Sequence, residues 1–82
     1  MLLTADVSMY PLQADYLPPI QMMIDKLNSY DGLKVHTSPT STILVGEHDT
    51  VTNALSDAMR WSQEENGKAV FMVKFIPDYE AL

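Results

Sequence analysis

A polar, proline-containing turn leads directly into an apolar strand near the middle of this chain. The stretch reads Thr37-Ser38-Pro39-Thr40-Ser41-Thr42-Ile43-Leu44-Val45-Gly46-Glu47. Residues 33–37 alternate like a strand and residues 41–46 form the next predicted strand, so the short polar link predicts a β-hairpin. Five hydroxyl side chains around one proline exceed what a turn requires. They can also present hydrogen-bond donors and acceptors to a small polar ligand.

The segments on either side of the hairpin each contain one further strand and one helix. Residues 3–10 and residues 68–76 alternate between two kinds of side chain, which is the pattern of half-buried strands. Residues 16–30 and residues 51–61 carry apolar side chains at three- and four-residue spacing. This spacing is typical of the apolar stripe of a helix that packs on one side.

The order strand, helix, strand, strand, helix, strand predicts an α+β protein. Two right-handed crossovers joined by a hairpin give the ferredoxin-like βαββαβ split sandwich, a four-stranded antiparallel sheet with two helices on one face. The first and third strands are central in this fold. Residues 1–82 are predicted to form one such domain, because 82 residues leave no room for a second core. Asp15 is expected to cap the first helix, and Asp49 or Thr50 the second.

The alternation also assigns residues to the two faces of the sheet. The face covered by the helices is predicted to hold Leu3, Ala5, Val7, Met9, Ile43 and Val45. The opposite, open face is predicted to hold Asp6, Ser8, Tyr10, Thr42, Leu44, Val70, Met72 and Ile76. This mixture of polar and apolar side chains predicts a face that another subunit covers in part, with a polar pocket at its edge. Asp6 either pairs with Lys34 or Lys74 on a neighbouring strand or serves a ligand.

Composition and charge argue against several classes of protein. Five basic and eleven acidic residues give a formal charge of −6, whereas nucleic-acid binding needs a basic surface. There is no cysteine, and therefore no disulfide framework or thiolate metal site. No apolar stretch approaches the roughly 20 residues of a membrane span and no signal peptide is recognisable, so we expect a cytoplasmic protein. A chain of this size gains buried surface by oligomerisation.

The sequence contains no arrangement of residues that is typical of catalysis or of metal binding. The two histidines, His36 and His48, belong to no metal-binding spacing. Ser38 or Ser41 has His36 nearby as a base, but there is no nucleophile elbow and no third group to orient the histidine. The one arginine, Arg60, lies in a helix rather than in a phosphate-binding loop. We therefore expect no enzymatic activity, no cofactor and no metal, and a hydrolase is the least favoured alternative.

The remaining candidate is a binding site made of hydroxyl groups, one carboxylate and one aromatic ring. Its residues are Asp6, Ser8, Tyr10, Thr37, Ser38, Thr40, Ser41 and Thr42. Hydroxyls and a carboxylate can satisfy a heteroaromatic ring that bears an amino group, and an aromatic side chain can stack on such a ring or on a cation. The alternative explanation for the Ser/Thr run is strand propensity combined with turn chemistry.

Three short motifs resemble those of the thiamine-binding, YkoF-like family of small ferredoxin-like proteins. They are Tyr10-Pro11-Leu12 at the end of the first strand, Tyr16-Leu17-Pro18-Pro19-Ile20 at the first helix, and Ser41-Thr42-Ile43-Leu44-Val45-Gly46-Glu47 in the hairpin. The resemblance spans residues 4–60. Two positions depart from the family pattern: Ile43 stands where glutamine is common, and Pro39-Thr40 stands where a turn more like glycine or methionine is expected.

The resemblance implies a protein that binds thiamine, or its hydroxymethylpyrimidine moiety, without catalysis. Ser41, Thr42 and Tyr10 fall on the family's motifs, whereas Asp6 and Ser8 are included for their predicted face. Because some relatives carry two such domains in tandem, the family implies a homodimer or tetramer for a chain with one. It also implies a role in vitamin B1 transport, salvage or sensing, with a thiamine-precursor transporter as a candidate partner. The alternative is a structural or regulatory module that binds another protein through the open sheet face.

Overall fold

Six elements follow one another in the order strand, helix, strand, strand, helix, strand. The structure is a computed structural model that describes residues 1–82. The elements are β1 (Leu2–Pro11), α1 (Leu17–Asn28), β2 (Lys34–Thr37), β3 (Thr42–Glu47), α2 (His48–Asn66) and β4 (Ala69–Pro77). The strands form one antiparallel sheet in the spatial order β2-β3-β1-β4, so β3 and β1 are central. This arrangement confirms the ferredoxin-like α+β fold that the sequence predicts.

Both helices pack on the same face of the sheet, and the core lies between them and the central strands. β1 contributes every second residue to this core, because successive side chains of a strand point to opposite faces. The buried apolar cluster consists of Leu3, Ala5, Val7, Met23, Leu27, Leu44, Val51, Leu55 and Ala58. Phe71 and Val73 of β4 pack against this cluster from the same face.

The predicted facing of β3 is wrong, and the structure reverses it. Leu44 pairs with Ala5, so Leu44 and Thr42 lie on the helix-covered face, whereas Ile43 and Val45 lie on the open face. The three consecutive apolar residues 43–45 leave no alternation from which the facing can be read. In a strand with such a run, either set of alternate residues is apolar enough to face the helices. Tertiary contacts then decide which set does so.

The close approach of Gly46 to the loop after α1 is one such tertiary contact. Gly46 is buried on the helix-covered face, where a Cβ atom would lie 2.8 Å from the carbonyl oxygen of Gly32. Gly32 has a φ of +82°, the left-handed conformation that follows the end of α1. A slip of β3 by one residue would place the side chain of Val45 or Glu47 against this carbonyl. The need for a glycine next to the loop after α1 therefore determines which residues of β3 face the helices.

Both helices begin without the side-chain caps that the sequence predicts. α1 starts after Tyr16 rather than after Asp15, and prolines occupy its first turn. Prolines have no N–H group to satisfy, so the missing cap costs little there. α2 starts at His48, which places Asp49 and Thr50 inside its first turn, where the negative charge of Asp49 faces the positive end of the helix dipole. Neither helix is long and apolar enough to cross a membrane.

Polar and aromatic side chains join the C-terminal end of α1 to α2. The Tyr30 hydroxyl donates a hydrogen bond to the Asp57 carboxylate. Burial raises the pKa of Tyr30 to about 12, and the hydrogen bond and the charge of Asp57 act in the same direction. The Lys26 ammonium lies 5.5 Å from the centroid of the Tyr30 ring and 5.2 Å from that of the Trp61 ring, within cation–π range. These contacts fix the two helices against each other.

The C-terminal segment, residues 78–82, folds back over one end of the open face. The Thr4 hydroxyl donates to the carbonyl oxygen of Tyr79 at 2.7 Å and accepts from the amide of Ala81 at 3.1 Å. Thr4 and Val45 are each 2 % exposed, although both lie on the face that carries no helix. The segment therefore covers this end of the sheet in place of a further layer.

Replacing Thr4 by valine is expected to lower the free energy of unfolding by about 1–2 kcal/mol. Valine keeps the volume but removes a buried hydroxyl, and two backbone groups of the C-terminal segment lose their partner. Urea unfolding measures the change, and amide exchange at Ala81 shows whether the segment detaches. Thr52→Val is the matched control, because the Thr52 hydroxyl also has two backbone partners, but both are carbonyl groups of its own helix. Equal losses in both variants would contradict the role given to Thr4.

Candidate functional site

A cavity of about 570 Å³ opens on the part of the open face that the C-terminal segment leaves uncovered. We call it the open-face cavity. Its lining residues are Asp6, Ser8, Tyr10, Thr40, Ser41, Phe71, Met72, Val73 and Lys74. They come from β1, from β4 and from the turn between β2 and β3. Five of the predicted ligand-binding residues therefore meet at one place, namely Asp6, Ser8, Tyr10, Thr40 and Ser41.

Asp6 supplies the negative charge of the open-face cavity and is only partly satisfied. Its register partners are Ile43 on β3 and Lys74 on β4. The Oδ1 atom is buried and accepts no hydrogen bond, and Asp6 forms no ion pair with Lys34 or Lys74. Lys34 is instead 3.1 Å from Glu80 of the C-terminal segment. A buried polar atom without a partner costs on the order of 1–3 kcal/mol, so a ligand that donates a hydrogen bond here would be stabilised.

Ser8 and Tyr10 follow Asp6 on the same face of β1. The Ser8 hydroxyl donates to the carbonyl oxygen of Thr40 at 3.1 Å and so holds the hairpin turn against β1. Tyr10 is 53 % exposed, and its ring is available for contact with a planar ligand. Met72, which pairs with Ser8, is 60 % exposed and adds an adaptable apolar surface. The cavity thus combines a carboxylate, hydroxyl groups, an aromatic ring and a thioether.

A second, smaller cavity of about 90 Å³ lies on the other side of the same turn, between α1 and the sheet. The predicted residues that border it are Ser8, Thr37, Ser38, Thr40, Ser41 and Thr42. Side chains of α1, among them Ile20 and Met23, form its apolar wall. Its volume is well below the roughly 300 Å³ of the smallest pockets that enclose a drug-sized ligand, so the open-face cavity is the better candidate for a ligand of that kind.

The hydroxyl groups of the hairpin are divided between the turn and the cavity. The Ser38 hydroxyl donates to the carbonyl oxygen of Ser41 at 3.1 Å and accepts from its amide at 3.3 Å. The hydroxyls of Thr37 and Thr42 form a hydrogen bond of 3.2 Å across the hairpin. Those of Thr40 and Ser41 form no hydrogen bond within the chain, and both residues border the open-face cavity. Turn and strand chemistry therefore account for Thr37, Ser38 and Thr42.

The structure separates three of the predicted site residues from the open-face cavity and adds one charged residue. The separated residues are Thr37, Ser38 and Thr42, and the prediction that Thr42 shares the open face is wrong because β3 has the opposite phase. The added residue is Lys74. Alternation within β4 places Lys74 on the same face as Met72, but only the register with β1 brings it beside Asp6.

The two histidines lie outside the open-face cavity. His36 is exposed on β2, where it pairs with Ile43. The Nδ1 atom of His48 is 3.0 Å from Oδ1 of its neighbour Asp49. No group of three or more histidine, cysteine, aspartate or glutamate side chains comes together in an arrangement that could hold a metal ion.

Comparison with solved structures identifies proteins of the same fold. A candidate thiamine biosynthesis/salvage protein from Thermotoga maritima matches with a TM-score of 0.84 at 20% identity, over 99% of this chain and 86% of that one. A protein from Streptococcus pneumoniae matches with a TM-score of 0.87 at 22% identity, over 96% and 89%. A hypothetical protein from Methanocaldococcus jannascii matches with a TM-score of 0.80 at 27% identity, over 99% and 87%. No family model and no curated protein matches the chain.

The chain is a small ferredoxin-like protein with a polar pocket on the open face of its sheet. The three structural neighbours share this fold along nearly the whole chain. The thiamine-related name of the Thermotoga maritima protein agrees with the YkoF-like resemblance of the first strand and the hairpin.

Replacing Asp6 by valine is expected to raise the free energy of unfolding by about 1 kcal/mol in the absence of ligand. The change removes a buried oxygen that lacks a hydrogen-bond partner and places a strand-favouring side chain in a central strand. Chemical denaturation measures the effect. Asp15→Val is the control, because Asp15 is exposed before α1 and its replacement changes the net charge equally. A loss of stability confined to Asp6→Val would show that the carboxylate has stabilising partners within the chain.

Proposed function

We propose that this protein binds thiamine, or its hydroxymethylpyrimidine moiety, in the open-face cavity without catalysing a reaction. The observation that supports the proposal most directly is the Asp6 carboxylate, whose buried Oδ1 atom has no partner and lies in the same cavity as the exposed ring of Tyr10. The cavity volume, about 570 Å³, falls in the range of roughly 300–1,000 Å³ for pockets that hold small organic ligands. The name of the Thermotoga maritima neighbour supports the choice of ligand.

Each chemical group of thiamine has a counterpart in the cavity. The amino group of the pyrimidine donates a hydrogen bond to Asp6, and the positive thiazolium ring is attracted to the same carboxylate. The Tyr10 ring contacts a heteroaromatic ring or a cation through its face. The hydroxyls of Thr40 and Ser41, which form no bond within the chain, serve ring nitrogens or the ligand's own hydroxyl.

The presence of Ile43 increases the expected contribution of the Asp6 carboxylate to ligand binding. It stands where the YkoF-like pattern commonly has glutamine, and it is the β3 neighbour of Asp6 on the open face. An apolar side chain here supplies no hydrogen bond, so acceptance of a hydrogen bond from the ligand's amino group falls to Asp6 of β1.

We further propose that the protein acts as a cytoplasmic homo-oligomer in vitamin B1 transport, salvage or sensing. Val70, Met72 and Ile76 of β4 are large apolar side chains that remain exposed on the open face. β4 is also an edge strand, with backbone groups unpaired along one side. A second copy on this face would bury the exposed side chains and cover the open-face cavity. A thiamine-precursor transporter is the partner that this role suggests.

Isothermal titration with thiamine and, separately, with hydroxymethylpyrimidine tests the proposed ligand. We expect saturable binding at micromolar or tighter affinity. Asp6→Asn is expected to weaken thiamine binding about ten- to a hundredfold, because it removes a hydrogen bond to a charged group worth about 1.5–3 kcal/mol. Asp15→Asn, which changes the net charge equally outside the cavity, should bind like the unmodified protein. No binding of either compound, or equal losses in the two variants, would contradict the proposal.

The second candidate function is an interaction module that binds another protein through the open face, and the exposed apolar side chains of β4 favour it. Ile76 separates the two functions, because it lies on the open face but does not border the open-face cavity. If the protein binds a ligand, Ile76→Lys is expected to dissociate the oligomer, which light scattering measures. Thiamine affinity should then fall only to the extent that a second copy contributes to the binding site. An interaction module would show no thiamine binding before or after the change.

A further inference from the structure

We infer that the open-face cavity selects a ligand that carries an anionic group as well as an amino-bearing or cationic ring, and that Lys74 recognises the anionic group. This inference rests on the proposed function and specifies the class of ligand within it. Among thiamine compounds, thiamine monophosphate carries both kinds of group. Lys74 would then be the residue that distinguishes the phosphate ester from thiamine itself.

Lys74 is the one basic residue that borders the open-face cavity, and no basic residue borders the smaller cavity on the other side of the turn. Lys34 is occupied by its ion pair with Glu80, and Lys26 lies over two aromatic rings. An ammonium group has three donors and no acceptor, so its natural partners in a polar cavity are carboxylate and phosphate oxygens. The position of Lys74 therefore indicates an anionic group in the ligand.

Lys74 lies beside Asp6 in the sheet. The two residues are direct register partners in the antiparallel pair of β1 and β4. Side chains so placed have Cβ atoms about 4.5–5.5 Å apart, close enough for a cross-strand ion pair. No nitrogen–oxygen distance between them is 4.0 Å or less, however; the Oδ1 atom of Asp6 is buried, and Lys74 is exposed. Two opposite charges that stand side by side at different depths complement a zwitterion better than a simple cation.

The net charge of the protein bears on whether the cavity prefers thiamine or its phosphate ester. A formal charge of −6 disfavours any anionic ligand and favours the cation thiamine. Lys74 opposes a purely cationic ligand in the cavity, because like charges at this spacing repel. A phosphate group within its reach turns that repulsion into attraction. Preference for the phosphate ester therefore requires a cationic side chain at the open-face cavity, and Lys74 supplies it.

Titration with thiamine and with thiamine monophosphate, in a low-salt buffer free of phosphate, tests the inference. The unmodified protein is expected to bind the monophosphate about three- to tenfold more tightly, the size of effect given by one partly exposed charge pair. Lys74→Met should abolish this preference and retain thiamine binding, whereas Lys74→Arg should keep it. Lys68→Met is the matched control, because Lys68 is exposed, lies outside the cavity and changes the net charge equally.

The ratio of the two affinities is the diagnostic quantity, because any change in the environment of Asp6 affects both ligands alike. Higher salt should reduce the preference, since exposed charges are screened. Equal binding of the two compounds by the unmodified protein, or a preference that survives in Lys74→Met, would overturn the role of Lys74 and leave thiamine binding in place. Failure of both compounds to bind would overturn the proposed function and this inference with it.

Discussion

The open face of the sheet depends on the register of β1 between its two neighbours. The odd-numbered apolar residues of β1, such as Leu3, must face the helices, and the even-numbered residues are thereby placed on the other side. A slip by one residue would bury the Asp6 carboxylate in the core and expose the apolar set, at a large cost in free energy. The same register determines what stands beside Asp6, namely Ile43 and Lys74. Packing of the apolar residues on the helix-covered face thus determines which polar side chains stand together on the open face.

One end of the open face is covered and the other is not. At one end the C-terminal segment lies over Thr4 and Val45, held by hydrogen bonds to a single threonine hydroxyl. At the other end the sheet remains open over Asp6 and Tyr10, and the hairpin turn forms one wall of the cavity. The C-terminal segment thus confines the candidate site to the end of the open face that it leaves uncovered.

The elements and topology could be predicted from the sequence because β1, β4 and both helices carry regular patterns. The facing of β3 could not, since residues 43–45 are all apolar. Val45 is covered by the C-terminal segment and Gly46 by the loop after α1, and neither contact leaves a local signal. The division of the hairpin hydroxyls could not be predicted either, because the local sequence does not show which hydroxyls the turn uses for its own hydrogen bonds. The sequence offered both Lys34 and Lys74 as neighbours of Asp6, and only the strand register decides that Lys74 stands beside it.

The position of β1 has a consequence for the order in which the chain folds. β1 is synthesised first, yet its neighbour on one side is β4, and Thr4 is bonded to residues 75 and 77 positions later in the chain. Contacts of such sequence separation form slowly, because the intervening chain must be ordered first. The hairpin and helices can assemble as the chain emerges, but one edge of the central strand stays unpaired until residues 69–77 arrive. Unfinished chains therefore expose the strand that carries Asp6, and this is the stage of folding most open to aggregation.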